Sequence, residues 1–166
     1  MGKLDNKVAI VTGASRGIGQ AIAELYAKEG ARVICTARTL HEGEHKLLTG
    51  SLETTVAGIK KSGGEATAVT CDVSSEADCE KLFAETHRIY GPADVLVNNA
   101  ALTYFIPVKD YEPRKWKRSF DINRNPGNAA DGSNGSASVG TQPEALVGLL
   151  RVRRFHPMFP QMCTPS

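Results

Sequence analysis

Short apolar runs alternate with amphipathic stretches along residues 1–123, and this alternation predicts strands and helices in turn. The apolar runs predict buried strands at residues 8–11, 32–37, 66–71 and 94–97. The amphipathic stretches repeat apolar residues at helical spacing and predict helices near residues 18–29, 51–61, 75–90 and 112–123. Strands that alternate with helices favour an α/β fold, in which right-handed crossovers join the strands of a parallel sheet.

Residues 124–166 lack the alternation seen in residues 1–123, and we interpret them as a separate, largely irregular tail. Pro126-Gly127 should end any helix that reaches this point. Residues 129–140 are rich in Gly, Ser and Asn, which is typical of linkers or disorder. Residues 144–152 favour a short helix with arginines near its end. Because no later strand is predicted, the fourth strand is expected to be an unpaired edge of the sheet.

A glycine-rich turn, Thr-Gly-Ala-Ser-Arg-Gly-Ile-Gly at residues 12–19, joins the first predicted strand to the first predicted helix. The first glycine permits a tight turn, the second lets the backbone approach a pyrophosphate, and the third allows close packing of helix on strand. The start of the helix adds free N–H groups and a partial positive charge. This arrangement predicts a dinucleotide-phosphate site formed by Gly13, Ser15, Arg16, Gly17, Ile18 and Gly19.

The end of the second predicted strand bears on the choice of dinucleotide. Folds that bind NAD place an acidic residue near this point for the ribose 2′-hydroxyl, whereas this chain has Thr36, Ala37 and Arg38. Arg16 and Arg38 can hold a 2′-phosphate through charge-assisted hydrogen bonds. We therefore expect NADP as the cofactor, with NAD as the alternative if the arginines are only solvated.

Composition and charge exclude several classes of function. The net charge of +2 is too small to indicate nucleic acid or a membrane surface as a partner. No apolar run is long enough to span a membrane, and the N-terminus has no signal-peptide pattern, so a cytoplasmic location is expected. The four cysteines lack metal-ligand spacing and are expected to be reduced thiols. We interpret His41, Glu42, Glu44 and His45 as solvated surface, with no metal site expected.

The chain contains four motifs in a familiar order, which are TGASRGIG at 12–19, Cys71-Asp72-Val73, Asn98-Asn99-Ala100 and Phe120-Asp121-Ile122-Asn123. Together they resemble the short-chain dehydrogenase/reductase family over residues 6–123. The resemblance implies a doubly wound Rossmann sheet, here partial, with strand order 3-2-1-4. It also implies NAD(P)-dependent oxidation of an alcohol or reduction of a carbonyl in a small molecule. The family is usually homo-oligomeric, but the helices that usually form its interface are absent or broken here.

The same resemblance implies roles for particular residues. The adenine ring would contact Asp72 and Val73, and the centre of the cofactor site would be lined by Asn99, Ala100 and Ala101. Asn123 matches the asparagine of the family's catalytic tetrad, which helps to hold a water in a proton relay. The alternative for Asn123 is an ordinary polar residue at a helix end.

The chain departs from the family pattern after Asn123. The family's catalytic Ser and its Tyr-x-x-x-Lys pair have no match there, since no Tyr follows Tyr111 and no Lys follows Lys117. Tyr111 and Lys115 have the right spacing, but they precede Asn123, so we interpret this match as coincidence. We therefore predict a truncated family member whose C-terminal segment is aberrant, through a frameshift, an altered splice junction or a faulty gene model. The alternative to an enzyme is an inactive nucleotide-binding fragment or an interaction partner of a full-length relative.

Overall fold

A computed structural model describes residues 2–44, 49–124 and 151–154. The strands are β1 (Val8–Thr12), β2 (Arg32–Ala37), β3 (Glu65–Thr70), β4 (Val95–Asn98) and β5 (Arg151–Arg154). The α-helices are α1 (Gly17–Lys28), α2 (Leu52–Lys61), α3 (Glu76–Tyr90) and α4 (Pro113–Arg124), and a 3₁₀ turn covers Val108–Asp110. Every strand and helix predicted within residues 1–123 is found, and the strand ends lie within one residue of the prediction.

The sheet has the predicted order 3-2-1-4, and β5 follows β4 at the edge. The first four strands are parallel. β1 pairs along its whole length with β2, with Val8 opposite Arg32 and Thr12 opposite Thr36. β4 pairs with the other side of β1, with Leu96 opposite Ile10. This order brings the carboxyl ends of β1 and β4 together at the middle of the sheet, where open α/β sheets bind their ligands.

The expectation of an unpaired β4 edge is wrong, because β5 pairs with β4 in antiparallel orientation, with Val97 opposite Val152. The helix predicted over residues 144–152 is likewise wrong for Arg151 and Val152, which belong to this strand. The remainder of that helix and the Gly/Ser/Asn-rich stretch at 129–140 lie outside the described residues. The strand has no apolar run in its sequence, which is why the hydrophobic pattern did not predict it.

The core lies on both faces of the sheet, because the parallel strands are covered by helices on each side. One cluster of buried side chains packs β1 and β2 against α1 and α2, and it includes Ala9, Val11, Val33 and Ile59. The other cluster packs the opposite face against α3 and includes Ile10. The side chains of β1 therefore alternate between two buried layers, which explains its unbroken apolar sequence.

Two helix starts are capped by serine side chains. Ser51 Oγ accepts a hydrogen bond from the Thr54 backbone N–H at 3.1 Å, which caps α2. Ser75 Oγ accepts from the Asp78 backbone N–H at 3.3 Å, which caps α3 and forms one half of a capping box. The reciprocal half of that box is absent, since Asp78 Oδ2 instead accepts from the Asp72 backbone N–H. The carboxylate of Asp78 thus ties α3 to the end of β3. Within the described part of the chain, no helix combines the length and apolarity that crossing a bilayer requires.

Candidate coenzyme-binding cleft

A cleft of about 290 Å³ opens at the carboxyl ends of the strands. Its walls are formed by the residues that follow β1, β2, β3 and β4, together with one residue of α4. Nine of the predicted cofactor-binding residues line it, namely Gly13, Ser15, Arg16, Arg38, Asp72, Val73, Asn99, Ala100 and Ala101. The other lining residues are Ala37, Thr39, Cys71, Leu102 and Ile122. The structure therefore brings together side chains that lie far apart in the sequence.

The glycine-rich turn forms the floor of the cleft. Gly13 has φ +67, a left-handed conformation that favours glycine. A Cβ at Gly19 would overlap the Gly13 carbonyl and crowd the Asn99 amide, so only glycine fits at this contact between helix and turn. Gly17 and Ile18 form the first turn of α1 but do not line the cleft, and Ile18 is 74% exposed. Their predicted contribution is limited to the backbone N–H groups at the start of the helix.

Thr12 and Asn99 lock the end of β1 to the end of β4. The Thr12 hydroxyl donates to the Val97 carbonyl at 3.1 Å and accepts from the backbone N–H groups of Asn99 and Ala100, both at 3.0 Å. The Asn99 side chain donates to the Thr12 carbonyl at 2.9 Å. The two side chains thus bond to backbone groups at the ends of both strands. This network fixes the position of the glycine-rich turn relative to the residues that follow β4.

Arg16 lines the cleft, and its guanidinium is hydrogen-bonded to Gly50 and Thr39. Its Nη2 donates to the Gly50 carbonyl at 3.0 Å and lies 3.5 Å from the Thr39 hydroxyl. Its Nη1 is buried and has no hydrogen-bond partner among the described residues. Buried guanidinium nitrogens are normally paired, so this free donor indicates a place for an anion. An anionic group such as a nucleotide phosphate fits this cleft on that observation and on the glycine floor.

Arg38 and Asp72 both line the cleft, and they follow the ends of the neighbouring strands β2 and β3. Asp72 Oδ1 accepts from the backbone N–H and the hydroxyl of Ser74 at 3.0 and 2.6 Å. Partial burial acts to raise the pKa of Asp72, but the Ser74 hydrogen bonds and the charges of Arg38 and Arg118 outweigh it. The pKa of Asp72 therefore lies below its ordinary value, and the carboxylate is charged at neutral pH.

Asn123 lies on α4 beside the cleft without lining it. Its Oδ1 accepts from the Leu102 backbone N–H at 2.8 Å, and its Nδ2 donates to the Leu102 carbonyl at 3.0 Å. Ser119, one turn earlier, also donates to the Leu102 carbonyl at 3.2 Å. Both ends of the Asn123 amide thus hold the loop that follows β4 against α4. Leu102 in turn lines the cleft.

Tyr111 and Lys115 do not line the cleft. The Tyr111 ring stacks edge-on against Tyr104 and Trp116, with ring centres 6.1 and 5.7 Å away. Lys115 Nζ forms an ion pair with Glu112 at 2.6 Å. The tyrosine and the lysine therefore make these contacts outside the cleft.

The other sequence candidates also have local partners. His41 Nδ1 lies 2.9 Å from Glu53, while Glu42 accepts from the Gly50 N–H and Glu44 accepts from the Leu40 N–H. Among the residues that the structure describes, no group of three metal-ligating side chains comes together. His45 lies outside those residues.

The described cysteines are free and buried. Burial raises the pKa of Cys35 and of Cys71 to about 12, so these thiols stay protonated at neutral pH. Cys163 lies outside the described residues.

Several residues that shape the cleft were missed by the sequence analysis. Thr12 is one of them, and the feature that could have indicated its role is that it is a single polar residue at the end of an apolar strand. Gly50 and Thr55 are others, because their partners lie far away in the sequence. Thr55 Oγ1 donates to the Ala14 carbonyl at 2.9 Å, so α2 also supports the glycine-rich turn.

Comparison with known proteins agrees with this geometry. The family model for short chain dehydrogenases matches residues 7–127. The 3beta-hydroxysteroid dehydrogenase of Mediterraneibacter gnavus is 37% identical over 126 residues, which cover 75% of this chain and 42% of that protein. Versicolorin reductase 1 of Aspergillus parasiticus is 38% identical over 121 residues, which cover 73% of this chain and 43% of that protein. The chain thus spans less than half the length of these curated relatives.

Solved structures give the same assignment. A metagenomic short-chain oxidoreductase in complex with NADP superposes with a TM-score of 0.68 at 34% identity, over 76% of this chain and 54% of that one. A short chain dehydrogenase from Mycobacterium smegmatis superposes with a TM-score of 0.68 at 32% identity, over 78% of this chain and 51% of that one. Since the family model, the relatives and the fold agree, the chain belongs to the short-chain dehydrogenase/reductase family, as its motifs predicted.

Proposed function

We propose that this chain binds NADP(H), in preference to NAD(H), as the coenzyme-binding part of an oxidoreductase that interconverts a carbonyl and an alcohol. The observation that carries the proposal is the cleft itself, which combines a glycine floor with the unpaired donor of Arg16. The names of the relatives support a reductase or dehydrogenase, and one structural neighbour is a complex with NADP.

The diphosphate is proposed to lie over the turn between Gly13 and Gly19. Backbone there comes closest to the ligand because no Cβ intervenes, and the first turn of α1 offers unpaired N–H groups. The helix has no acidic residue in its first turn, so nothing in that turn repels a phosphate.

The 2′-phosphate is proposed to bind Arg16 and Arg38, which both line the cleft. The end of β2 carries no carboxylate that could accept a ribose 2′-hydroxyl. Asp72 is charged and already accepts two hydrogen bonds from Ser74. A 2′-phosphate therefore gains more from this site than a hydroxyl does.

The remaining predicted site residues are proposed to border the rest of the coenzyme. Asp72 and Val73 would flank the adenine, and Asn99, Ala100 and Ala101 would border the middle of the coenzyme. When bound, the coenzyme supplies or accepts a hydride. Asn123 would hold the wall next to the reacting end through Leu102, whether or not it also takes part in a proton relay.

Calorimetric titration of the full chain with NADPH and with NADH tests the coenzyme assignment. NADPH is expected to bind more tightly, and Arg38→Ala is expected to weaken NADPH about tenfold, as loss of a charge-assisted contact does. The affinity for NADH should change less than about twofold, because the ribose hydroxyl does not need the guanidinium.

A matched control is Arg88→Ala, which removes the same charge from an exposed position on α3 where the arginine pairs with Glu85. Its affinities for both coenzymes should equal those of the parent chain. Tighter binding of NADH would refute the NADP preference, and folded protein that binds neither coenzyme would refute the site as a whole.

A binding protein without turnover is the second candidate, and the observation that favours it is the absence of Tyr-x-x-x-Lys after Asn123 in the sequence. Incubation with NADPH and a panel of small carbonyl compounds, followed by absorbance, distinguishes the two. No oxidation above the protein-free rate is expected if the chain only binds. Turnover that Tyr111→Phe abolishes would instead give Tyr111 the role of general acid.

A further inference from the structure

We propose that Gly50 is a positioning residue for coenzyme selectivity, whose carbonyl oxygen fixes the Arg16 guanidinium at the mouth of the cleft. Gly50 does not line the cleft and would not touch the coenzyme. It acts through the 3.0 Å hydrogen bond from Arg16 Nη2. The inference rests on the proposed binding of NADP(H) and names a determinant of selectivity within it.

The position needs glycine for two independent reasons. Its φ is +103, which side chains of L-residues rarely adopt. A Cβ there would lie 2.7 Å from the Ser15 carbonyl oxygen and 3.0 Å from Arg16 Cβ. Gly50 therefore packs directly on the backbone of the glycine-rich turn, and any side chain would push the two segments apart.

Gly50 is itself anchored by the loop that follows β2. Glu42 Oε1 accepts from the Gly50 backbone N–H at 2.7 Å, and Glu42 Oε2 accepts from the Thr54 hydroxyl at 3.3 Å. The carboxylate thus joins the residue before α2 to the first turn of that helix. Thr55 completes the support, since its hydroxyl donates to the Ala14 carbonyl.

The anchoring pairs one terminal nitrogen of the guanidinium and leaves the other without a partner among the described residues. Nη2 is used by Gly50 and by the more distant Thr39, whereas Nη1 is unpaired among the described residues. An arginine with one nitrogen fixed loses less rotamer freedom when it binds an anion than one that moves freely in solvent. The Gly50 carbonyl therefore prepares Arg16 for the 2′-phosphate and contributes little to NADH binding.

The test measures dissociation constants of NADPH, NADH and 2′,5′-ADP for Gly50→Ala in the full chain. NADPH and 2′,5′-ADP are expected to bind about tenfold more weakly, which is the loss of one charged hydrogen bond. NADH should change by less than about twofold, because it does not use the 2′-phosphate contact. Equal weakening of both coenzymes would overturn the proposal, as would unchanged selectivity.

Gly43→Ala is the matched control. Gly43 lies in the same loop with φ +88, but a Cβ there would meet nothing within 4 Å. It therefore imposes similar backbone strain without contact with Arg16, and the ratio of NADPH to NADH affinity should stay that of the parent chain. In an Arg16→Ala background, Gly50→Ala should no longer alter that ratio, since the arginine on which it acts is gone.

A second pair of variants keeps the proposal testable if Gly50→Ala does not fold. Glu42→Gln and Glu42→Ala both remove the charge, but only Gln keeps an oxygen that can accept from the Gly50 N–H. The Ala variant should bind NADPH about threefold more weakly than the Gln variant, with equal affinity for NADH. Identical NADPH affinities would overturn the proposal. Failure of the proposed function is distinct, because the parent chain would then show no preference for NADPH.

Discussion

The glycine-rich turn at residues 12–19 and the segment that follows β4 differ in how their side chains are packed. Around the glycine-rich turn, side-chain hydrogen bonds from Thr12, Thr55 and Asn99 tie neighbouring segments together. In residues 101–120, large apolar side chains are exposed, including Phe105 at 99%, Val108 at 82% and Trp116 at 52%. The glycine-rich turn is therefore packed among described residues, whereas the segment after β4 leaves large apolar side chains exposed.

The difference follows from where each region finds its partners. The turn is closed by β2, α2 and the end of β4, all of which the βαβ crossovers bring beside it. The segment after β4 is held to α4 by the hydrogen bonds of Asn123 and Ser119 to Leu102 and by ring contacts that join Tyr104 and Tyr111 to Trp116. The βαβ crossovers thus place contacts on every side of the turn, whereas the segment after β4 has fewer described contacts.

The largest effect is expected from Gly19→Ala, which tests how tightly the glycine-rich turn is packed. The new Cβ would overlap the Gly13 carbonyl, which is backbone and cannot rotate away. We expect a loss of about 3 kcal/mol of unfolding free energy, typical of severe overpacking, and loss of NADPH binding. Urea denaturation and calorimetric titration measure the two effects.

The control for this variant is Gly58→Ala, another glycine in a helix. Its Cβ would meet only the end of the Glu24 side chain, at 3.9 Å. Because alanine favours helix over glycine, this change should raise stability by about 0.5–1 kcal/mol. If both variants shift the free energy of unfolding in the same direction, close packing on the turn is not the reason that position 19 requires glycine.

A somewhat smaller effect is expected at two threonines that lie opposite each other on neighbouring strands. Thr12 Oγ1 makes three hydrogen bonds to the β4 end, while Thr36 Oγ1 is buried with no partner among the described residues. Thr12→Val should therefore lower the free energy of unfolding by about 2–3 kcal/mol, because it leaves buried backbone groups without hydrogen-bond partners. Thr36→Val should be neutral or stabilising, by up to about 1 kcal/mol, because it removes an unpaired hydroxyl.

Urea denaturation of the two variants at one pH measures this contrast directly. Equal destabilisation would mean that the hydroxyl of Thr12 is not needed to join β1 to β4. The pair has the same substitution, the same register and the same burial, so the difference isolates the hydrogen bonds.

The sequence was sufficient for the parts of the fold that are set by local pattern. Because the parallel strands are buried on both faces, their sequences are continuous apolar runs. Glycine and polar residues mark the ends of these runs. The site residues within the turn followed from the same logic, since Gly13 and Gly19 are where only glycine fits. What escaped prediction depends on tertiary contact between distant segments, as in the bond from Arg16 to Gly50. β5 escaped because an arginine-rich strand has no apolar signal, and its pairing with β4 is set by the whole sheet.

A third prediction concerns the segment that follows β4. Phe105→Ser with Val108→Ser should change the unfolding free energy by less than about 0.5 kcal/mol, because both side chains are exposed. Light scattering at high protein concentration should fall, since exposed apolar side chains promote association. Ile34→Ala in the buried centre of β2 is the contrasting variant and should cost about 3 kcal/mol. A large loss of stability from the surface pair would show that these residues pack against the rest of the chain.

Another small effect is expected in the pH dependence contributed by Asp72, which lines the cleft after β3. Its pKa is lowered in the folded chain, since Ser74, Arg38 and Arg118 outweigh the opposing effect of burial. A carboxyl with a lowered folded-state pKa stabilises the fold above its unfolded pKa, and this contribution is lost as pH falls through the folded value. Asp72→Asn should therefore be less stable than the parent chain at pH 7, by less than about 1 kcal/mol because the group is partly solvated. Urea midpoints measured from pH 7 to below the ordinary aspartate pKa of 3.8 should converge. A gap that persists in acid would mean that the contribution of Asp72 to stability does not depend on its charge, but on packing and neutral hydrogen bonds alone.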